Sequence, residues 1–331
     1  MRIGVIGIGV IGPTNVRALM SFPEVEIVAV ANRTASKAEA FCKDMGLTCP
    51  IYSDWQTMLS EVKPEAVLIQ LYKDLHFPCF MECAKRGIHI LVEKPLANRY
   101  EDCLQMIEAA CENGVRATVL QTQRYGKVLQ TAKKYITEHA GELGELMCVN
   151  DQLICNYFHK DRSLWHLDPV RSGGGIVLNY GVHQLDRTHW LMGQKTERFH
   201  AKYLTRKPGV NTISSYVMMG VTDRDTPYTI NCNGYSGPWV NEITLTFANG
   251  AVRCLLTDNP PLEKGVYVGS TETKVLQPVP TCCVDGDANH EMYRREMREA
   301  LDYLTGKTEE APVSLEWAAE LVRLCRLGFE Q

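Results

Sequence analysis

The glycine-rich segment at residues 7–12, GIGVIG, constrains the fold of this chain more than any other feature. It fits the pattern G-x-G-x-x-G, follows an apolar run that is typical of a strand, and precedes a stretch with helical periodicity. The first glycine permits a tight turn, the second lets a diphosphate approach the backbone, and the third lets helix and strand pack closely. The segment predicts a dinucleotide-binding Rossmann domain. The candidate cofactor contacts here are Gly7, Gly9, Val10, Ile11 and Gly12. A structural turn that binds nothing is the alternative.

The first third of the chain alternates short apolar runs with amphipathic stretches. The predicted strands cover residues 2–6, 26–31, 66–71, 88–92 and 115–120. The predicted helices cover residues 15–21, 35–45, 77–86 and 100–112. Strands that alternate with helices indicate an α/β fold with a parallel, doubly wound sheet. We therefore expect an NAD(P)-binding Rossmann domain over residues 1–122.

After residue 122 the regular alternation of strands and helices ends. The pattern predicts helices at 125–139, 175–192, 292–304 and 314–327, with a long strand at 146–158. Residues 198–278 read as strands and turns, and Asn249-Gly250 is a typical hairpin signal. Residues 123–331 are therefore predicted to form a second, α+β domain on a mostly antiparallel open sheet.

The choice of dinucleotide depends on the end of the second strand. An acidic residue there would hold the ribose hydroxyls of NAD, but this chain has Asn32, followed by Arg33 and, a little further on, Lys37. No carboxylate stands at this point to repel a 2′-phosphate, and two cations could attract one. The sequence therefore favours NADP over NAD. The alternative is that Arg33 stacks on adenine and both cofactors bind.

Two further motifs carry polar groups. Glu93-Lys94-Pro95 follows a predicted strand, where a lysine would face the ligand crevice of a parallel sheet and could hydrogen-bond a substrate hydroxyl. Taken alone, a surface lysine is the simpler interpretation. The glycine triplet 173–175 precedes a predicted helix on which Asn179 and His183 lie four residues apart and share a face.

The three motifs together resemble the Gfo/Idh/MocA family, named for glucose–fructose oxidoreductase and inositol dehydrogenase. The resemblance covers nearly the whole chain and includes His76, residues 123–125 and Trp165. It implies hydride transfer between nicotinamide and a hydroxyl-bearing carbon of a sugar, cyclitol or sugar derivative. It also implies a homodimer or homotetramer formed through the C-terminal sheet.

The resemblance assigns roles to individual residues. It implies that Lys94, His183 and Asn179 are catalytic, with His183 transferring the hydroxyl proton. It adds His76, Glu93, Lys94 and Pro95 to the residues around the cofactor. The candidate substrate wall consists of Arg124, Tyr125, Tyr157, Trp165, His166, Asn179 and His183.

Two positions depart from the family pattern. Inositol dehydrogenase-like members carry Asp where this chain has Asn179, and relatives often carry Arg where it has His166. An amide cannot take a proton, although it still donates and accepts hydrogen bonds. Without a fixed positive charge at position 166, a strongly anionic substrate is less expected. Other arginines, at positions 124, 162 and 171, leave that possibility open.

Composition and charge argue against several classes of function. A formal net charge of -4 with no basic run gives no electrostatic footprint for nucleic acid. No apolar stretch approaches the roughly 20 residues of a membrane span, and we expect a cytoplasmic protein. None of the 13 cysteines forms a zinc-type C-x-x-C pair, so no metal is expected. Two other functions stay open: glycoside cleavage through transient oxidation and elimination, and a non-catalytic dinucleotide sensor or assembly subunit.

Overall fold

The computed structural model describes residues 1–206, 208–235, 237–258, 261–270, 273, 275–280 and 288–330. The chain divides into two compact units. The first consists of Met1–Thr122 with Asn289–Val322, and the second of Gln123–Ala288 with Arg323–Gln331.

The first unit is built on a parallel sheet. Its strands are β1 (Arg2–Ile6), β2 (Glu26–Ala31), β3 (Ile51–Tyr52), β4 (Ala66–Ile69), β5 (His89–Glu93) and β6 (Ala117–Leu120). They lie in the order β3-β2-β1-β4-β5-β6, which is the order typical of a Rossmann domain. Its helices are α1 (Gly12–Met20), α2 (Ala35–Met45), α3 (Trp55–Val62), α4 (His76–Lys85) and α5 (Tyr100–Glu112). The predicted doubly wound parallel sheet is confirmed.

Two elements of the first unit were missed in the sequence. The strand β3 has only two residues, too few to show a hydrophobic period. The sequence does contain a signal for helix α3, namely Asp54 at its N-cap. The Asp54 carboxylate accepts a hydrogen bond from the Thr57 backbone N–H at 2.8 Å. Asp is a favoured residue at a helix N-cap.

Two C-terminal helices, α9 (Ala288–Leu304) and α10 (Leu315–Glu330), require a correction. The sequence placed them in the second domain, whereas Asn289–Val322 belongs to the first unit. The reason is apolar packing on both faces of the parallel sheet. Met297 and Leu301 join the core on one face, and Val313 and Val322 join the core on the other.

The second unit contains an eight-stranded sheet. Its strands are β7 (Leu146–Ile154), β8 (Thr196–Leu204), β9 (Ser215–Thr222), β10 (Pro227–Asn233), β11 (Val240–Phe247), β12 (Gly250–Leu255), β13 (Gly265–Ser270) and β14 (Gln277–Val279). The order is β14-β13-β12-β11-β7-β10-β9-β8. Only β7 and β10 pair in parallel among these described strands. The predicted mostly antiparallel sheet is confirmed, as is the hairpin between β11 and β12.

The helices of the second unit are α6 (Lys127–Glu138), the short α7 (Ala140–Leu143) and α8 (Val182–Met192). The sequence predicted one helix over 175–192, but the structure has a π-helical turn at Val177–Gly181 before α8 begins. Such turns are frequent at functional sites. Within the described ranges, no helix combines the length and the apolar character needed to cross a membrane.

Candidate active site

The glycine loop joins β1 to α1. Gly7 has φ +89°, and a Cβ atom there would lie 2.6 Å from the Gln70 backbone oxygen, so only glycine fits. A Cβ atom at Gly9 would have the Gln70 backbone oxygen, 3.9 Å away, as its nearest neighbour. The space beside Gly9 is therefore open, and Val10 is 93% exposed next to it.

The loop fits a dinucleotide diphosphate. Helix α1 begins at Gly12 with no side-chain cap and with no acidic residue in its first turn. In such sites the backbone N–H groups of the loop and the positive end of the helix dipole bind phosphate, and here the loop N–H groups matter most, because the Gly12 N–H donates to the Gly9 carbonyl and residue 13 is proline. A side chain at Gly9 would fill the open space from which a diphosphate approaches. The residues at the loop thus match the cofactor that the motif predicts.

A buried polar network lies beneath this loop, and the sequence reasoning missed it. The Asn15 amide donates to Gln70 Oε1 at 3.1 Å and to Glu93 Oε1 at 2.9 Å. The Gln70 amide in turn donates to the Gly7 carbonyl at 3.0 Å. Burial raises the pKa of Glu93, while the Lys94 charge and the Asn15 hydrogen bond oppose this shift. The signal in the sequence was Asn15 itself, which shares a helix face with the apolar residues Ala18 and Leu19.

Lys94 and the predicted Pro95 contact lie directly after β5. The Lys94-Pro95 bond is cis, Lys94 is half-buried and Pro95 is buried. The His76 ring is buried beside them, with Nδ1 2.9 Å from the Pro95 oxygen and Nε2 3.2 Å from the Leu71 oxygen. Burial lowers the pKa of His76 to about 4, so the ring is neutral at pH 7. His76 thus supports the segment that carries Lys94, and direct contact with the cofactor stays a prediction.

The residues that favour NADP lie at the start of α2. The Asn32 amide donates to the Thr34 carbonyl at 2.9 Å, which orders the turn after β2. Arg33 and Lys37 are exposed. The N-cap residue Thr34 makes no side-chain cap, and the first turn of α2 contains no acidic residue. This helix start therefore presents N–H groups and two exposed cations.

Four of the substrate-wall candidates form one cluster around the Tyr157 phenol. Tyr157 is fully buried, and its hydroxyl lies 3.3 Å from Asn179 Nδ2 and 3.3 Å from His166 Nδ1. The Arg162 guanidinium lies 4.2 Å from the centre of the Tyr157 ring, and its Nε donates to the Tyr157 carbonyl at 2.7 Å. Trp165 stacks on His166 with ring centres 3.7 Å apart. Four predicted residues are thus brought together, and Arg162 is added to them.

Other predicted residues lie elsewhere in this unit. Arg124 is buried and donates to both carboxylate oxygens of Asp186, at 2.9 Å from Nε and 2.5 Å from Nη2. Tyr125 is 6% exposed and belongs to the core. The Arg124 charge is therefore balanced internally, which weakens its assignment to the substrate wall. His183 lies in the first turn of α8 and is half-buried.

The glycine triplet holds the chain in the conformation that leads into the π-helical turn. All three glycines have positive φ, at 65°, 110° and 81° for Gly173, Gly174 and Gly175. A Cβ atom at Gly175 would lie 2.2 Å from Thr212 Oγ1 and 2.9 Å from the Ile213 carbonyl. Here both the backbone conformation and the packing require glycine.

We expect Gly175→Ala to lower the free energy of unfolding by more than about 1 kcal/mol, because strain and overpacking add. Gly141→Ala is the matched control, since a Cβ there meets nothing within 4 Å and φ is not positive. The control should be neutral or stabilising. Urea denaturation of both variants measures the difference, and equal stabilities would show that this turn is not constrained as described.

The described cysteines are free thiols. No group of three or more His, Cys, Asp or Glu side chains in this part of the chain is placed to hold a metal ion. Cys282 and Cys283 lie outside the described residues.

Comparison with known proteins agrees with the fold and with the motifs. Residues 1–121 match the model of the oxidoreductase family with an NAD-binding Rossmann fold. Residues 129–253 match the GFO/IDH/MocA C-terminal domain. These two matches define a protein with an NAD-binding Rossmann fold joined to a second domain of the same family. The chain belongs to the Gfo/Idh/MocA oxidoreductase family.

Several relatives have named activities. Inositol 2-dehydrogenase of Salmonella paratyphi B is 26% identical over 196 residues, which make up 59% of this chain and 55% of that protein. The match therefore spans about half the length of that relative. D-xylose 1-dehydrogenase (NADP(+)) 2 of Haloferax volcanii is 26% identical over 237 residues, 69% of this chain and 71% of that protein. Levoglucosan dehydrogenase, solved with NADH and levoglucosan, has a TM-score of 0.84 at 17% identity and covers 100% of this chain and 96% of its own. At that identity the similarity concerns the fold alone.

Proposed function

We propose that this chain is an NAD(P)-dependent dehydrogenase or reductase that acts on a hydroxyl-bearing carbon of a sugar, cyclitol or sugar derivative. The observation that carries the proposal lies in the first unit. The glycine loop, which leads into the uncapped start of α1, follows β1, and Lys94 follows β5. Both therefore lie at the carboxyl edge of one parallel sheet. Ligands of such sheets bind at this edge. The dehydrogenase names of the relatives support the same class.

The chain's own residues would handle binding and proton transfer. Lys94 would hydrogen-bond the reacting hydroxyl, and His183 would take its proton during oxidation. Asn179 would orient that hydroxyl through its amide. The glycine loop would hold the dinucleotide, and the chemistry that this group would supply is hydride transfer with the same carbon. In the reverse direction His183 would return the proton to the carbonyl oxygen.

The test is a panel of sugars and cyclitols incubated with the purified full chain and NAD⁺ or NADP⁺. Substrate-dependent formation of reduced nicotinamide, read by its absorbance, is the expected result. Release of an aglycone from a glycoside without net cofactor reduction would instead identify redox-assisted cleavage. Cofactor binding without any turnover across the panel would favour a sensor or assembly subunit and overturn the proposal.

We propose NADP as the preferred cofactor, supported by the exposed cations and the uncapped start of α2. Arg33→Ala is expected to weaken NADPH binding by about tenfold, equivalent to about 1.4 kcal/mol, and to change NADH binding little. Nicotinamide fluorescence titrations measure both constants. Lys43→Ala, an exposed cation in the last turn of the same helix, is the matched control. Equal losses for both cofactors after Arg33→Ala would mean that the side chain stacks on adenine and does not contact a phosphate.

We further propose that the first unit holds the cofactor, and that the second unit binds the substrate and forms a homodimer or homotetramer through its sheet. Exposed apolar side chains on β9 support the second role, since Val217 is 55% and Met219 54% exposed. Val217 and Met219 alternate onto the same face of β9, and large contiguous apolar patches mark interaction surfaces. A cytoplasmic location stays a prediction from the sequence.

A further inference from the structure

The hydroxyl of Tyr157 lies between two other side chains of the candidate substrate wall, Asn179 and His166. Each lies 3.3 Å from that oxygen. The phenol cannot turn away, because Arg162 covers one face of its ring and Tyr180 packs edge-on at 5.5 Å. The Tyr157 hydroxyl is therefore held in place between the Asn179 amide and the His166 imidazole.

Counting protons gives the direction of one hydrogen bond and limits the choices for the other. Burial raises the pKa of Tyr157, so the hydroxyl keeps its single proton. Asn179 Nδ2 can only donate, and the Tyr157 oxygen accepts from it. The proton of Tyr157 is then available to His166 Nδ1, which lies 3.3 Å away. An imidazole that accepts at Nδ1 is neutral and carries its hydrogen on Nε2.

We propose that Tyr157 is a positioning residue that fixes the amide of Asn179, and that His166 completes this arrangement by accepting the Tyr157 proton. The Nδ2 group of Asn179 is thereby held toward Tyr157, and Oδ1 is turned away from it as a hydrogen-bond acceptor. The role of that acceptor toward a substrate hydroxyl rests on the proposed function. The hydrogen-bond directions themselves do not.

The same chemistry couples the residue types at positions 179 and 166. A carboxylate at position 179 can only accept hydrogen bonds. The Tyr157 hydroxyl would therefore donate its hydrogen bond to that carboxylate. The group at 166 would then face the Tyr157 oxygen as a donor, as a guanidinium, an imidazolium or the Nδ1–H tautomer of a neutral imidazole does. An amide at 179 thus pairs with an acceptor at 166, such as a neutral imidazole with a bare Nδ1, and a carboxylate at 179 pairs with a donor at 166. This chain carries an amide at 179 and an imidazole at 166.

The first test reads the protonation of His166 directly. Nitrogen NMR of the full chain with labelled histidine reports each ring nitrogen, and His166→Gln assigns the signal by its loss. We expect an unprotonated Nδ1 and a protonated Nε2 at neutral pH in the wild type. Tyr157→Phe should shift the Nδ1 signal, because the donated proton is lost, and Asn179→Asp should leave Nδ1 protonated. A protonated Nδ1 in the wild type, or a signal that neither variant changes, would overturn the inference.

The second test is a double-mutant cycle on kcat/KM with Asn179→Asp, His166→Arg and the double variant. The double variant should exceed the Asn179→Asp single variant by about tenfold, because a guanidinium at position 166 always donates, whereas the imidazole has to change its tautomer first. Repeating the cycle in a Tyr157→Phe background should abolish this coupling, with folding checked by circular dichroism. Additive effects would contradict the coupling. A wild type with no activity would defeat the proposed function, while the NMR result would still decide the hydrogen-bond directions.

Discussion

Replacing Lys94 or His183 by alanine is expected to lower turnover by about 10²–10⁴, the usual contribution of a positioned proton-transfer group. Cofactor affinity should stay within a few-fold of the wild type, because the glycine loop and the start of α1 provide the groups that fit the diphosphate. Steady-state kinetics gives the first quantity, and fluorescence titration of the reduced cofactor gives the second.

The double variant should be less impaired than the product of the two single effects, because groups that act on one hydroxyl are non-additive. Lys85→Ala and His200→Ala are controls of the same residue types at exposed positions on α4 and β8. Full activity in either active-site variant, with folding intact, would mean that the family gives the fold but that these residues do not perform the proton transfer.

Removing the Asp151 carboxylate should have the largest effect on stability, about 3–5 kcal/mol for Asp151→Ala. Asp151 is fully buried and accepts from Arg187 Nε at 2.6 Å and from the Thr188 hydroxyl at 3.2 Å. Arg187 is 1% exposed, and its Nη1 also donates to Asn241 Oδ1 at 2.7 Å. The alanine variant would leave a guanidinium charge buried without its counter-ion.

Chemical denaturation measures this loss. The matched control is Glu138→Ala on α6, where the carboxylate lies 3.8 Å from Lys134 and both side chains are more than half exposed. An exposed pair of this kind contributes about 0–1 kcal/mol. The double variant Asp151→Ala/Arg187→Met should recover part of the loss, because it removes the buried charge as well. A cost for Asp151→Ala no greater than that of the control would contradict a buried charge network.

The first unit illustrates how much of a fold local sequence can predict. The strands β1 and β2 and the helices α2 and α5 have the bounds that the sequence predicted. Each consists of residues whose hydrophobic period is complete within the element itself. The glycine loop was predictable for the same reason, since its strand, turn and helix are contiguous.

The candidate site was predictable only in part. The motifs named Lys94, Asn179 and His183 through the family, and their roles stay predictions. Asn15 and Gln70 were not found, because their hydrogen bonds join residues 55 positions apart. Arg124 was assigned to the substrate wall, yet its charge pairs with a carboxylate 62 residues away.

The sequence by itself determined the class of fold, the position of the glycine loop and the family, because these depend on local periodicity and on contiguous motifs. Only the tertiary structure decided that residues 289–322 cover the Rossmann sheet, since a helix does not encode which apolar surface it will bury. Only the tertiary structure, likewise, gave Tyr157 its two partners. A hydroxyl has one proton to give, and the residues around it, nine and 22 positions away, decide where that proton goes.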